Sequence, residues 1–116
     1  GMEGVRPRPQ AVGERGVCFS KMVQHIVFFK FKDKTGQDAR KARDMLLALK
    51  DKIDYIRDMR VGMDLTHSSR SYDMALECTF DTYEDLQAYD QHPEHLKVRQ
   101  FIHQAREGSA AVDYEF

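Results

Sequence analysis

The chain has 116 residues and carries 18 Lys and Arg against 19 Asp and Glu, a net charge of −1, so it fits a single domain. That balance leaves no electrostatic footprint for nucleic acid and no basic face for a membrane surface. No apolar run approaches the ~20 residues needed to span a bilayer, and the N-terminus lacks the apolar stretch of a secretory signal. Two cysteines, Cys18 and Cys78, make neither a disulfide framework nor a zinc site, so a reduced, cytoplasmic setting is expected.

Gly1 before Met2 has the look of an expression scar. Residues 3–20 carry Gly, Pro, Arg and Glu without hydrophobic period, which predicts a flexible N-terminal arm over 1–21 and an ordered domain over 22–116. Met22 to Phe31 is β-branched and aromatic and predicts a strand. Both its faces are apolar: Val23, His25, Val27, Phe29 and Phe31 on one side, Met22, Ile26 and Phe28 on the other. Thr35 is the expected N-cap of a helix from about Gln37 to Lys52, with Ala42, Met45, Leu46, Leu49 and Ile53 as its buried stripe.

A second strand is expected from Ile56 to Thr66, where Met59, Val61, Met63 and Leu65 alternate with polar residues. After a turn at 67–70, Tyr72, Met74, Leu76, Cys78 and Phe80 mark a third. Thr82 can cap a short helix carrying Tyr83, Leu86 and Tyr89, and Pro93 suits the first turn of another. In that helix His95, Val98, Ile102 and Ala105 share a stripe, Gly108 closes it, and Ala111 to Phe116 forms a last strand.

The order β-α-β-β-α-β predicts an α+β, ferredoxin-like protomer, a four-stranded antiparallel sheet with helices on one face. Its other face would leave Ile26 and Phe28 in water, forfeiting about 1.5–3 kcal/mol per side chain. A homodimer through the open sheet face, closing an α/β barrel, removes that loss.

Chemistry concentrates in Tyr89-Asp90-Gln91-His92-Pro93-Glu94-His95, a phenol and two imidazoles at the joint of two helices. Imidazole exchanges protons near neutral pH, and a Tyr hydroxyl can donate to a developing oxyanion. His95 lies on the stripe of Val98 and Ile102, and His25 on the strand face of Val27 and Phe29, so both are expected inside. The competing reading makes His25 a satisfied core histidine, Tyr89 a helix end with its hydroxyl in water, and His92 a structural joint. A metal is not expected: Pro93 separates His92 from His95 and no third ligand has a recognisable spacing. His67 and His103 fit exposed positions, and Cys78 a core thiol.

Several of these segments occur together in one known family. His25-Ile26-Val27-Phe28-Phe29-Lys30-Phe31-Lys32, Val61-Gly62, Tyr72-Asp73-Met74-Ala75-Leu76, Phe80, Leu86, Tyr89 and His92-Pro93-Glu94-His95, at these spacings, resemble the stress-responsive dimeric A/B barrel domain family over about residues 22–116. The resemblance implies a homodimeric barrel with an apolar cavity between sheet and helices in each protomer. Val27, Phe29, Met45, Leu49, Met74, Leu76 and His92 are expected to line it. In a plant polyketide cyclase sharing the domain, the Tyr and final His of Tyr-x-x-His-Pro-x-His act without metal or cofactor. They match Tyr89 and His95, and His25 matches a cavity-facing His on the first strand. A further His of the cyclase is Met74 here, and the usual Pro-Gly before the second strand is Asp54-Tyr55. One polar wall is therefore apolar, which argues against the cyclase's own substrate.

The expectation is thus an apolar pocket for an aromatic or carbonyl-bearing small molecule, with cofactor-independent acid–base chemistry of the lyase or cyclase type. His95 would be the base, Tyr89 the donor to the carbonyl oxygen and His25 an orienting group. The rivals are a ligand-binding or stress-protective dimer without turnover and, by fold analogy alone, a cofactorless monooxygenase.

Overall fold

In the computed structural model, residues 11–12, 17–18 and 21–116 are described. Two short strands, β1 (Ala11–Val12) and β2 (Val17–Cys18), pair antiparallel. The rest of the stretch for which a flexible arm is expected lies outside the described residues, apart from Lys21.

The main sheet contains β3 (Val23–Phe31), β4 (Asp58–Met63), β5 (Met74–Phe80) and β6 (Arg106–Glu115) in the order β4-β5-β3-β6, every pair antiparallel. Helices α1 (Gln37–Lys52), α2 (Tyr83–Gln91) and α3 (Pro93–Ala105) complete a β-α-β-β-α-α-β ferredoxin-like arrangement. No helix among the described residues is long and apolar enough to cross a membrane.

Alternation along the strands sets the two faces. Val23, Phe29 and Phe31 of β3 and Met74, Leu76, Cys78 and Phe80 of β5 bury against the helices, with Ala39, Ala42, Leu46 and Leu49 of α1 opposite. Ile26 and Phe28 point the other way, and their β6 partners Val112 and Ala110 share that face. Phe28 stays 43% and Val112 62% exposed, so the sheet has an uncovered apolar side.

Four boundaries differ from expectation. Gly36, in the left-handed region at φ 88°, is the N-cap of α1 and offers no side-chain bond; Thr35 Oγ1 instead accepts from the Gln37 N–H. β4 stops at Met63 because Asp64 turns the chain, its carboxylate accepting from the His67 N–H at 2.6 Å, and Leu65 is left 91% exposed. β5 begins only at Met74, since Asp73 Oδ2 accepts from the Phe31 N–H at 2.7 Å, beside the register shift in β3. α3 ends at Ala105 rather than Gly108, and β6 starts at once with Arg106 in extended conformation. Pairing with β3 takes precedence there over local helix propensity.

The joint between α2 and α3 follows from sequence chemistry. Thr82 caps α2 by accepting from the Asp85 N–H at 3.0 Å. His92 precedes a proline, which disfavours helical backbone, and it adopts φ −64°, ψ 136°. Its Nδ1 then caps α3 by accepting from the Glu94 N–H at 3.0 Å.

Candidate functional site

Between the helix-facing side of β3 and β6 and the inner face of α3 lies a cleft of about 370 Å³. His25, Val27, Phe29 and Leu76 supply its sheet wall, His95, Val98 and Ile102 its helix wall. Ser109 and Ala111, where β6 borders it, are too small to fill the space.

The break at Pro93 sets the chemistry of His95. Helix α2 ends with carbonyls that have no partner within the helix, and the Asp90 carbonyl accepts from His95 Nδ1 at 3.0 Å. A carbonyl can only accept, so the proton of the neutral ring resides on Nδ1 and Nε2 keeps its lone pair. Burial pulls the His95 pKa below its usual value, outweighing the Asp90 carbonyl and carboxylate, which act to raise it. Burial therefore favours the neutral imidazole.

His25 is held from the other wall. Its β6 partner is Asp113, on the same face of the sheet, and Nδ1 meets the Asp113 carboxylate at 2.5 Å. That contact leaves Nε2 as the nitrogen available to the cleft. The two imidazoles come from opposite walls and line one space.

Tyr89 is only 1% exposed. Its ring lies 4.3 Å from that of His95 and 5.1 Å from that of Phe80, with His25 edge-on at 6.0 Å. Among the described residues the hydroxyl has no partner at normal hydrogen-bond geometry, though the Cys78 thiol faces it closely enough to act on its titration. Burial, followed by the neighbouring Cys78, pushes the phenol far above its usual range. Burial likewise pushes the Cys78 thiol up to about 12, which leaves no thiolate for nucleophilic chemistry.

Of the residues expected to line the pocket, Val27, Phe29 and Leu76 do so, together with His25 and His95. Leu49 and Met74 are instead core residues, 1% and 2% exposed, Met45 packs against the core, and His92 caps α3. The Tyr89 hydroxyl, expected to donate into the pocket, is not among the groups on the cleft wall. Its ring serves as a backing for His95. The missed residues are Asp113, Arg99, His103, Arg106 and Ser109. Asp113 becomes visible only once the β3–β6 register is known. Arg99 and His103 are four residues apart, a helical spacing that the sequence does display, whereas Arg106 reaches the cleft only because β6 begins there. Among the described residues no three His, Cys, Asp or Glu side chains gather as for a metal ion.

The stress-responsive A/B barrel domain model matches residues 23–116. The chain belongs to the stress-responsive A/B barrel domain family. Among solved structures it is similar to a dimeric ferredoxin-like protein of unknown function from Bacteroides fragilis. Identity is 33%, coverage 82% of this chain and 96% of that one, and the TM-score 0.74. A dimeric ferredoxin-like protein from Thermobifida fusca is 23% identical over 84% and 92% of the two chains, at a TM-score of 0.75. A hydroxynitrile lyase from Passiflora edulis is 20% identical over 84% and 95%, also at 0.75, a likeness of fold. No curated protein matches the chain.

Proposed function

We propose that this stress-responsive A/B barrel protein uses the cleft for cofactor-independent acid–base chemistry on a small aromatic carbonyl compound. The carrying observation is His95: a half-buried imidazole whose Nδ1 is committed to the Asp90 carbonyl, leaving Nε2 as a base in a cleft with one apolar wall. Val27, Phe29, Leu76, Val98 and Ile102 offer a ring-sized apolar surface, and Nε2 removes a proton from the carbon next to the carbonyl. His25, anchored to Asp113, orients the carbonyl oxygen from the facing wall. Tyr89 is a positioning residue here, fixing the His95 plane by ring contact. The hydroxynitrile lyase of the same fold agrees with lyase-type chemistry on this scaffold.

The same reading makes the active unit a homodimer. Ile26, Phe28 and Val112 border an apolar hollow of about 280 Å³ on the uncovered sheet face, and two similar structures are described as dimeric. Burying such side chains is worth about 1.5–3 kcal/mol each, a large part of a small domain's stability.

The test is deuterium exchange into the methyl group of acetophenone in D₂O, followed by NMR. Wild-type protein should accelerate exchange, and His95→Gln should lower the rate by about 10²–10⁴-fold. Equal rates for the two proteins would remove His95 from the mechanism. Ligand-induced stabilisation without any exchange would make the cleft a binding site only.

A further inference from the structure

We propose that Arg106 holds the carboxylate of the ligand, so that the cleft takes a keto acid whose carbonyl end meets the two imidazoles. The inference rests on the acid–base reading of the same cleft and adds its substrate class.

Arg106 stands where α3 passes into β6, and its half-buried side chain lines the cleft with His103 and Ser109. Its Nη1 donates to Ser109 Oγ at 2.8 Å and its Nη2 to His103 Nδ1 at 3.3 Å. Neither partner is an anion, and among the described residues no carboxylate pairs with Arg106. Arg99, on the same wall, is by contrast matched by Asp90 at 3.8 Å. A guanidinium has five N–H donors in a planar fork, so Arg106 retains donors for an external oxyanion.

Its neighbours add to that capacity. A guanidinium cannot accept, so His103 must accept through Nδ1 and carries its proton on Nε2 when neutral. Ser109 Oγ is likewise used as an acceptor and keeps its own O–H to donate. A cation without a carboxylate partner and two neutral donors thus gather at the solvent-facing rim of the cleft, where the planar fork of the guanidinium can meet a carboxylate with two parallel bonds.

Distances along both walls agree. His95 and His103 are eight residues apart on α3, about 12 Å at 1.5 Å per residue. Phe29 pairs with Ser109 and His25 with Asp113, four residues along the strands, about 13 Å. With Arg and His side chains reaching inward from both ends, the remaining span suits a carbonyl and a carboxylate on opposite sides of one aromatic ring.

The probes are 4-acetylbenzoate and its uncharged isostere 4-acetylbenzamide, titrated calorimetrically into the full chain. The acid should bind at least about tenfold more tightly than the amide. The ratio should fall to near one in Arg106→Gln, be partly kept in Arg106→Lys, and shrink with added NaCl in the wild type. His95→Gln should retain the ratio while losing exchange activity, which separates this inference from the assignment of the base. A wild-type ratio near one, or a ratio that survives in Arg106→Gln, would overturn the anion site while leaving the cleft reading in place. Absence of binding by both probes at millimolar concentration would overturn both.

Discussion

Replacing Tyr89 by Phe deletes one oxygen atom and decides between two roles for the residue. Tyr89 Oη is the one buried side-chain polar atom without a partner among the described residues. A hydroxyl desolvated without a hydrogen bond costs roughly 1–3 kcal/mol. The void left by its removal, about 10 Å³, costs back about 0.2 kcal/mol at ~24 cal/mol per Å³. Ring contacts with Phe80 and His95 are retained in Phe, so Tyr89→Phe should stabilise the protein by about 1 kcal/mol. For a chain of this size that corresponds to a rise in Tm of about 4–6 °C. Thermal and urea unfolding followed by circular dichroism, at one fixed protomer concentration, read the effect. Acetophenone exchange should be unchanged within about twofold, because the hydroxyl is off the cleft wall. A loss of about 1 kcal/mol or more would mean that the hydroxyl is bonded, with the Cys78 thiol as the partner at hand. A fall in turnover of 10²–10³-fold, the effect of removing an oxyanion donor, would restore Tyr89 as the group that meets the carbonyl.

Three further outcomes are expected. The acid limb of the exchange rate should have its midpoint below 6.5, the ordinary histidine value, because burial lowers the His95 pKa. The same shift links to stability: the unfolded chain binds this proton more tightly, so the contribution is complete above about pH 6.5 and is lost as pH falls through the lower folded value. His95→Gln should flatten stability over that window, and an unchanged profile would contradict the assignment. Asp113→Asn removes the charge that anchors His25. It should lower exchange about tenfold or more, with Tm nearly constant because Asp113 sits 42% exposed on an edge strand. Phe28→Glu places a charge in the uncovered sheet face, and sedimentation should show wild-type dimer becoming monomer at micromolar concentration; a dimer that persists would locate the interface elsewhere.

Much of the fold was legible because its signals are local. Alternation placed β3 and β5 on the right faces, the spacing of Ala42, Leu46 and Leu49 set α1, and Thr82 and Pro93 marked the starts of α2 and α3. The failures lie where a distant segment decides a local conformation. Arg106 to Gly108 have nothing strand-like in their sequence and extend because β3 offers them a ladder. Asp73 is withdrawn from β5 by the Phe31 N–H. The site behaves in the same way. The inward placement of His95 and His25 follows from helix stripe and strand parity, both readable. The Tyr89 hydroxyl could not be located from parity alone, since parity does not set whether a residue on the buried face directs its polar end to the cleft or past it into the core. Asp113 and the group around Arg106 depend on register and on a helix end that sequence misplaced by three residues.

The protonation of His95 is the most direct measure of the account. Two-dimensional ¹H–¹⁵N correlation through the imidazole ring reports which nitrogen carries the proton, and a pH series gives the titration of that ring. The expected result is the proton on Nδ1, an Nε2 with a free lone pair that shifts when 4-acetylbenzamide is added, and a midpoint below 6.5. A proton on Nε2, or a midpoint above 6.5, would contradict it.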